Sequence, residues 1–325
     1  MKLRFILGAV LAILGLASAL TLLDSILWVA DELNFFRPAF FSASVAVFLG
    51  ALATRSRRLI SFTLVLVAFN ALPLVLRTIP VSSPAAEGTQ SVRVMSANVL
   101  VTNTDYAAFR RLVSLIRPDV LLTQEATGDW PHALKEIAFL PYWATEPGSR
   151  AGLLIGGIQI VSRFPLEVTR FYPLAGGNSN PVSREVAARV TVRRPGSKPF
   201  VIFAIHPPSP RSFLEWQRRE LYLDEIVRRV GLEAVGTSVL VVGDWNTPPW
   251  SPLLRRFARE TGLVATEALP WPSATRILAS VAGVSLLGSP IDRIMASKEV
   301  GLSALHLGAA FGSDHRPVYA DLTIP

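Results

Sequence analysis

Carboxylates, amides and imidazoles recur in this chain at the edges of short apolar runs. Asn98 follows the alternating segment 91–97. Gln124 and Glu125 follow the apolar segment 120–123, and His206 follows 200–205. Gly243-Asp244-Trp245-Asn246 follows the very apolar run 238–242. Asp292 lies in a Pro-Ile-Asp-Arg-Ile stretch, and Ser313-Asp314-His315-Arg316-Pro317 precedes 318–322. Side chains of these types bind hard cations, move protons and contact anions. A strand end is where a rigid sheet presents them to a ligand. Taken singly, each also admits a plain structural role. Asn98 suits a turn, and Glu125 before Ala-Thr-Gly-Asp suits the start of a helix. Asp244 and Asn246 suit a turn after a strand, and His206 before two prolines suits a loop. His132 and His306 have no partners in sequence and read as structural.

The elements that must position these residues are short. Segments 153–162 and 186–192 read as further strands, and 291–296 as another. Residues 105–116 have helical spacing, with Thr104 or Asp105 as cap. Residues 213–230 form a long, strongly charged amphipathic pattern. Strands mixed with helices point to a layered α/β domain. No internal repeat is present.

Together the motifs match one family in order. Arg93-Val94-Met95-Ser96-Ala97-Asn98-Val99 resembles the first motif of the endonuclease/exonuclease/phosphatase superfamily, and 118–125 resembles the second. Residues 158–165 resemble the strand before its central turn. Residues 243–246 and 313–317 resemble its last two motifs, with Asp292 between them. The resemblance covers about residues 92–323.

The resemblance implies a four-layer α/β sandwich, two packed β-sheets flanked by helices. It implies Mg²⁺ or Mn²⁺ bound by Glu125 with Asn98, and Asp314 supporting the metal side. Asp244 would orient or deprotonate the attacking water, and Asn246 would hold a phosphate oxygen or the nucleophile. His315, oriented by Asp292, would stabilise the phosphoryl charge. Apurinic endonucleases carry an Asp two residues beyond the first-motif Asn, where this chain has Leu100. His206 in Phe-Ala-Ile-His-Pro-Pro and the Ser183-Arg184-Glu185 stretch are instead similar to pancreatic deoxyribonuclease and neutral sphingomyelinases. On that likeness His206 is the general acid and Arg184 a phosphate contact.

The remaining sequence places this domain. Half of the 325 residues are hydrophobic, and the excess sits in the first 80. Apolar runs at 5–23, 38–53 and 59–76 approach the length that crosses a bilayer. They predict a bundle of about three transmembrane helices within 1–78, a linker over 79–90, and a catalytic domain over 91–325. A cleaved signal peptide would explain the first run alone, and the two that follow argue against it. Lys2 and Arg4 precede the first run, and Arg55, Arg57 and Arg58 separate the second from the third. The positive-inside rule puts both groups in the cytoplasm and the catalytic domain outside, at a bacterial inner membrane. The chain has no cysteine, which excludes disulfides and thiolate chemistry.

The net charge of +8 suits an anionic partner, nucleic acid or lipid headgroup, and equally an Arg-rich proteome. The favoured reading is a nuclease, with Arg184, Arg211, Arg218, Arg219, Arg228 and Arg229 able to follow a phosphate backbone. The last four are expected to form a solvated helix face. The alternatives are a phospholipase C-like or sphingomyelinase-like phosphodiesterase acting on lipid headgroups, and a silent binding domain on a membrane scaffold. The intact set of polar residues argues against the last. No obligate protein partner is implied.

Overall fold

The computed structural model describes residues 2–75, 91–144, 157–171, 186–265, 273–281 and 284–325. Four helices open the chain: α1 (Lys2–Leu20), α2 (Trp28–Asn34), α3 (Arg37–Ala53) and α4 (Arg57–Val75). There follow β1 (Ser91–Asn98), α5 (Tyr106–Ile116), β2 (Val120–Gln124), α6 (Trp130–Lys135), β3 (Tyr142–Trp143), β4 (Gln159–Ser162) and β5 (Leu166–Phe171). Next come β6 (Ala187–Val192), β7 (Phe200–Ile205), α7 (Phe213–Val230), β8 (Val239–Asp244), α8 (Pro252–Thr261) and β9 (Val264–Ala265). The last stretch holds β10 (Arg276–Val281), β11 (Val284–Ser289), β12 (Asp292–Ala296), β13 (Gly301–Leu302), β14 (His306–Leu307) and β15 (Val318–Thr323).

One large sheet has the order β13-β15-β1-β2-β4-β3, with β14 beside β15; the second runs β5-β6-β7-β8-β12-β9, and β10 and β11 pair as a separate hairpin. Strand alternation builds the layers. Val92 and Val94 of β1 meet Ile202 of β7, Leu240 and Val242 of β8 and Ile294 of β12 between the sheets. The odd residues Met95 and Ala97 turn to Phe109, Val113 and Trp130 of α5 and α6. On the far side, Val239 and Val241 pack under Tyr222, Ile226, Leu254 and Phe257 of α7 and α8. The result is the expected four-layer sandwich. Helices α5, α7 and α8 start at side-chain caps: Asp105 accepts from Ala108 N, Ser212 from Glu215 N and Ser251 from Leu253 N.

The same parity carries past the core. Asn98, His206, Asp244 and Asp292 continue the inward faces of β1, β7, β8 and β12. β1 and β2 run parallel, as do β7 and β8, and β12 is antiparallel to β8 with Asp292 opposite Asp244. All four side chains therefore emerge at one end of the sandwich. Two expected boundaries shift. β8 runs on through Gly243 and Asp244, so Asp244 ends a strand rather than shaping a turn. β4 covers only Gln159–Ser162 of the expected 153–162, and residues 153–156 fall outside the described residues.

Two helices, Lys2–Leu23 and Arg57–Val75, are long and apolar enough to cross a membrane. A third span results if α2 and α3, bent by 67°, count as one. α1 is apolar all round with few buried side chains, the pattern of a helix that faces lipid. Asn70 of α4 donates to Ser18 of α1 and Ser44 of α3, tying the three long helices together. Arg4 donates to Thr54 O at 2.7 Å, which gathers the N-terminus and the α3–α4 turn at one end of the bundle. The sandwich meets the other end. Arg219 of α7 reaches Asp31 at 2.7 Å, and the Trp250 indole donates to Asn34 O at 2.8 Å. The short helix α2 that supplies Asp31 was not foreseen.

Candidate active site

The strand ends enclose a cavity of about 460 Å³. Glu125, His206, Asp244, Asn246, Asp314 and His315 line it. Asn98 stands behind, donating to Glu125 Oε1 at 3.2 Å and to Asp244 Oδ2 at 3.1 Å. Seven of the eight expected site residues other than Arg184 thus gather here directly, and Asp292 joins them through His315. Arg184 lies outside the described residues.

Glu125 breaks the parity of β2, and its backbone takes φ +58°. A non-glycine residue in the left-handed region is uncommon and clusters at functional sites. The conformation turns the carboxylate into the cavity, where Val101 N donates to Oε2 at 3.0 Å. Gly157 packs against it: a Cβ there would lie 3.1 Å from Glu125 Cα. Burial raises the Glu125 pKa. The imidazole of His206, the Val101 N–H and the Asn98 amide outweigh that, and the carboxyl stays below its usual range. Gly243 allows another close approach, since a Cβ would lie 2.0 Å from Ile205 O, so only glycine lets β7 and β8 bring His206 and Asp244 together.

Asp244 is the hub. Its Oδ2 lies 3.6 Å from His206 Nε2 and 3.6 Å from His315 Nε2, and its Oδ1 accepts from Asn246 N at 2.9 Å. His315 Nδ1 meets Asp292 Oδ2 at 2.8 Å. Burial lowers the His315 pKa, but Asp292, Asp244 and Asp314 prevail and raise it to about 9. Burial pushes the Asp292 carboxyl up, and the adjacent Asp244 adds to this while His315 opposes it. Ligand atoms of Asp244, Asp292 and His315 lie within 4.8 Å of one another, a spacing that could hold a metal ion. In the geometry seen, an imidazolium already supplies the cation there. Glu125 is the better fit for a hard divalent ion, a carboxylate held below its usual pKa range and facing a cavity with room for water and phosphate, while Asn98 turns its amide NH2 to Glu125 and Asp244 and its Oδ1 to Leu100 N. Asp314 shares the cavity, but its carboxylate pairs with Arg276 at 3.3 Å.

Arg219 corrects the expectation of a solvated arginine face on α7. It is fully buried, donating to Asn246 O at 2.7 Å and to Asp31 at 2.7 Å. A signal existed in the sequence: Trp216, Arg219, Leu223 and Ile226 share one helical stripe. Arg228 and Arg229 pair with Glu225. Arg211, Arg218 and Arg276 line the cavity, and of these Arg276 was not anticipated.

The model of the endonuclease/exonuclease/phosphatase family matches residues 95–315. No curated protein matches the sequence. Similar solved structures include sphingomyelinase C from Streptomyces griseocarneus, 18% identical, covering 72% of this chain and 99% of that one at TM-score 0.55. Beta toxin from Staphylococcus aureus with bound magnesium ions is 18% identical, covering 71% and 99% at TM-score 0.54. TDP2 from D. rerio in complex with a single-strand DNA product is 19% identical, covering 72% and 100% at TM-score 0.53.

Proposed function

Because the chain belongs to the endonuclease/exonuclease/phosphatase family, we propose that it is a divalent-metal-dependent phosphodiesterase acting by in-line attack of water. The observation that carries this reading is the convergence of Asn98, Glu125, His206, Asp244 and His315 on one cavity. Glu125 and Asn98 would hold Mg²⁺ or Mn²⁺. The ion would polarise a phosphoryl oxygen and offset its charge. Asp244 orients a water and takes its proton as the new O–P bond forms. The opposite P–O bond breaks, and His206 gives its proton to the leaving oxygen. As general acid His206 acts as the imidazolium and returns to the neutral imidazole once Nε2 has given up its proton. Its Nδ1 has no hydrogen-bond partner among the described residues, so no carboxylate there holds the proton in place. The His315 imidazolium adds fixed positive charge beside the phosphoryl group. Asn246 donates one amide hydrogen to Pro207 O and keeps the other for a phosphate oxygen or the water.

The reading includes a place for the site. Residues 1–78 are the membrane part and 91–325 the hydrolase, held on the outer face of a bacterial inner membrane. Support comes from the two ends of the bundle. Arg4, Arg55, Arg57 and Arg58 gather at one, and the sandwich packs on the other through Asp31 and Asn34. A reporter inserted after Gln90 is expected to be active only if it works outside the cytoplasm; cytoplasmic activity there reverses the orientation.

Chelation tests the chemistry. Hydrolysis of bis(4-nitrophenyl) phosphate by the full-length protein should vanish in EDTA and return with Mg²⁺ or Mn²⁺. Glu125→Gln should weaken activity and metal affinity together. Full activity in chelator overturns the reading.

A further inference from the structure

A second cavity, of about 320 Å³, adjoins the first. The two share Ser209, Arg211 and Arg276. Beyond the arginines the wall turns apolar, with Phe35, Phe36 and Leu278. Glu32 also faces this cavity. Phe35 and Phe36 do not belong to the sandwich. They form the bend between α2 and α3, one residue before the apolar helix α3 begins. Leu278 belongs to the β10–β11 hairpin and is 54% exposed, and β11 packs against α3. The buried Arg219–Asp31 pair and the Trp250–Asn34 hydrogen bond fix this wall against the phosphate cavity.

We infer that the substrate is a bilayer lipid phosphodiester whose apolar portion occupies the Phe35–Phe36–Leu278 cavity, so that the membrane anchor itself completes the substrate site. The order along the wall is that of an amphiphile. The polar cavity takes the phosphate, Arg211 and Arg276 flank it, and apolar surface follows where the membrane helices begin. Aromatic side chains at such a helix end sit at headgroup depth, where one side of the ring is wet and the other apolar. A nucleic acid asks for a different surface, an open run of cations along its backbone. Here Arg219 is buried against Asp31, and Arg228 and Arg229 are paired with Glu225.

The inference rests on the phosphodiesterase reading, and the test separates the two. Full-length protein reconstituted in vesicles is assayed with Mg²⁺ against three substrates. These are bis(4-nitrophenyl) phosphate, single-stranded DNA, and vesicles of phosphatidylethanolamine, phosphatidylglycerol, phosphatidylcholine or sphingomyelin. At least one lipid should be hydrolysed with a higher kcat/KM than DNA. Leu278→Asp, at an exposed position, should lower the ratio of lipid to small-ester kcat/KM by about tenfold or more, since it charges the apolar wall. Phe36→Ser should move the ratio in the same direction. If the small ester is cleaved but no lipid is, or DNA is the better substrate, or neither variant moves the ratio, the lipid site is wrong and the phosphodiesterase stands. If the small ester is not cleaved either, both readings fall.

Discussion

His315 and His206 each bring Nε2 to 3.6 Å from Asp244 Oδ2, yet they are held by different means. His315 is braced inside the sandwich. Asp292, the first residue of β12, fixes Nδ1, and Ser313 accepts from His315 N while donating to Asn98 O. Among the described residues His206 has no carboxylate at Nδ1. Its backbone N–H donates to the Tyr222 hydroxyl, and the following Pro207 O accepts from Asn246, whose own carbonyl is held by Arg219. Arg219 in turn pairs with Asp31 of the N-terminal helices. One histidine is a charge fixed by the sheets. The other is a ring without an Nδ1 partner among the described residues, and its wall is braced from the N-terminal helices. A fixed cation suits stabilisation of charge at phosphorus, and a ring able to part with its proton suits a general acid.

Replacing each histidine tests this contrast most strongly. General acid catalysis is typically worth roughly 10²–10⁴-fold, and one charge-stabilising donor roughly 10²–10³-fold. His206→Ala should be severe on a natural phosphodiester and mild on a nitrophenyl ester, whose leaving group needs no proton. His315→Ala should be severe on both. Melting curves check that each variant folds. If His206→Ala is equally damaging with both leaving groups, His206 is a phosphate ligand and the two halves of the site do the same work.

The His315 half was legible in the sequence and the brace on the His206 half was not. Asp292, Asp314 and His315 sit in motifs whose order along the chain marks the family, and strand parity carries Asn98, His206, Asp244 and Asp292 to one end. Period-two patterning fixes the face of a strand residue whatever its partner. The Arg219–Asp31 pair joins residues 188 positions apart, on a long helix and a seven-residue helix in an apolar stretch. No local pattern announces such a contact. The left-handed backbone of Glu125 was equally hidden, because it follows from Gly157 packing across it rather than from its neighbours. The three apolar runs at 5–23, 38–53 and 59–76 centre on α1, α3 and α4, since composition alone marks a helix apolar enough to cross a membrane. The arginines of α7 misled for the opposite reason. Charge reads as solvent exposure unless the apolar stripe around it is followed, and Arg219 stands in that stripe.

Asp31→Asn sharpens the comparison from the side of the N-terminal helices. It leaves Arg219 buried with its charge uncompensated, which typically costs about 3–5 kcal/mol. Thermal unfolding should shift accordingly. If the brace acts on the His206 wall, activity on the natural ester should fall further than activity on the nitrophenyl ester. The double change Asp31→Asn with Arg219→Met removes the lone charge and should recover much of the stability without recovering the ratio. An equal loss on both esters would make the pair purely structural.

The smallest effect is expected from Asp292→Asn, which loosens the orientation of His315 without deleting its ring. Activity should fall on both esters by less than in His315→Ala, and the fall should not depend on the leaving group. Stability against pH gives an independent reading. In the folded chain the His315 pKa is raised from 6.5 to about 9, chiefly through Asp292 against the opposing effect of burial. A raised histidine contributes stability that is full below its unfolded pKa and lost as pH rises through the folded one. Metal-free wild-type protein should therefore lose melting temperature between about pH 6 and about pH 10 through this group. Asp292→Asn removes the carboxylate that holds the proton, so its melting temperature should fall less over the same window. The raised pKa of Asp292 itself acts as pH rises from the acidic side, where ionising it in the core is opposed by burial and by Asp244. A melting curve for the variant as steep in the alkaline window as that of the wild type would show that Asp292 does not hold His315 in its charged form.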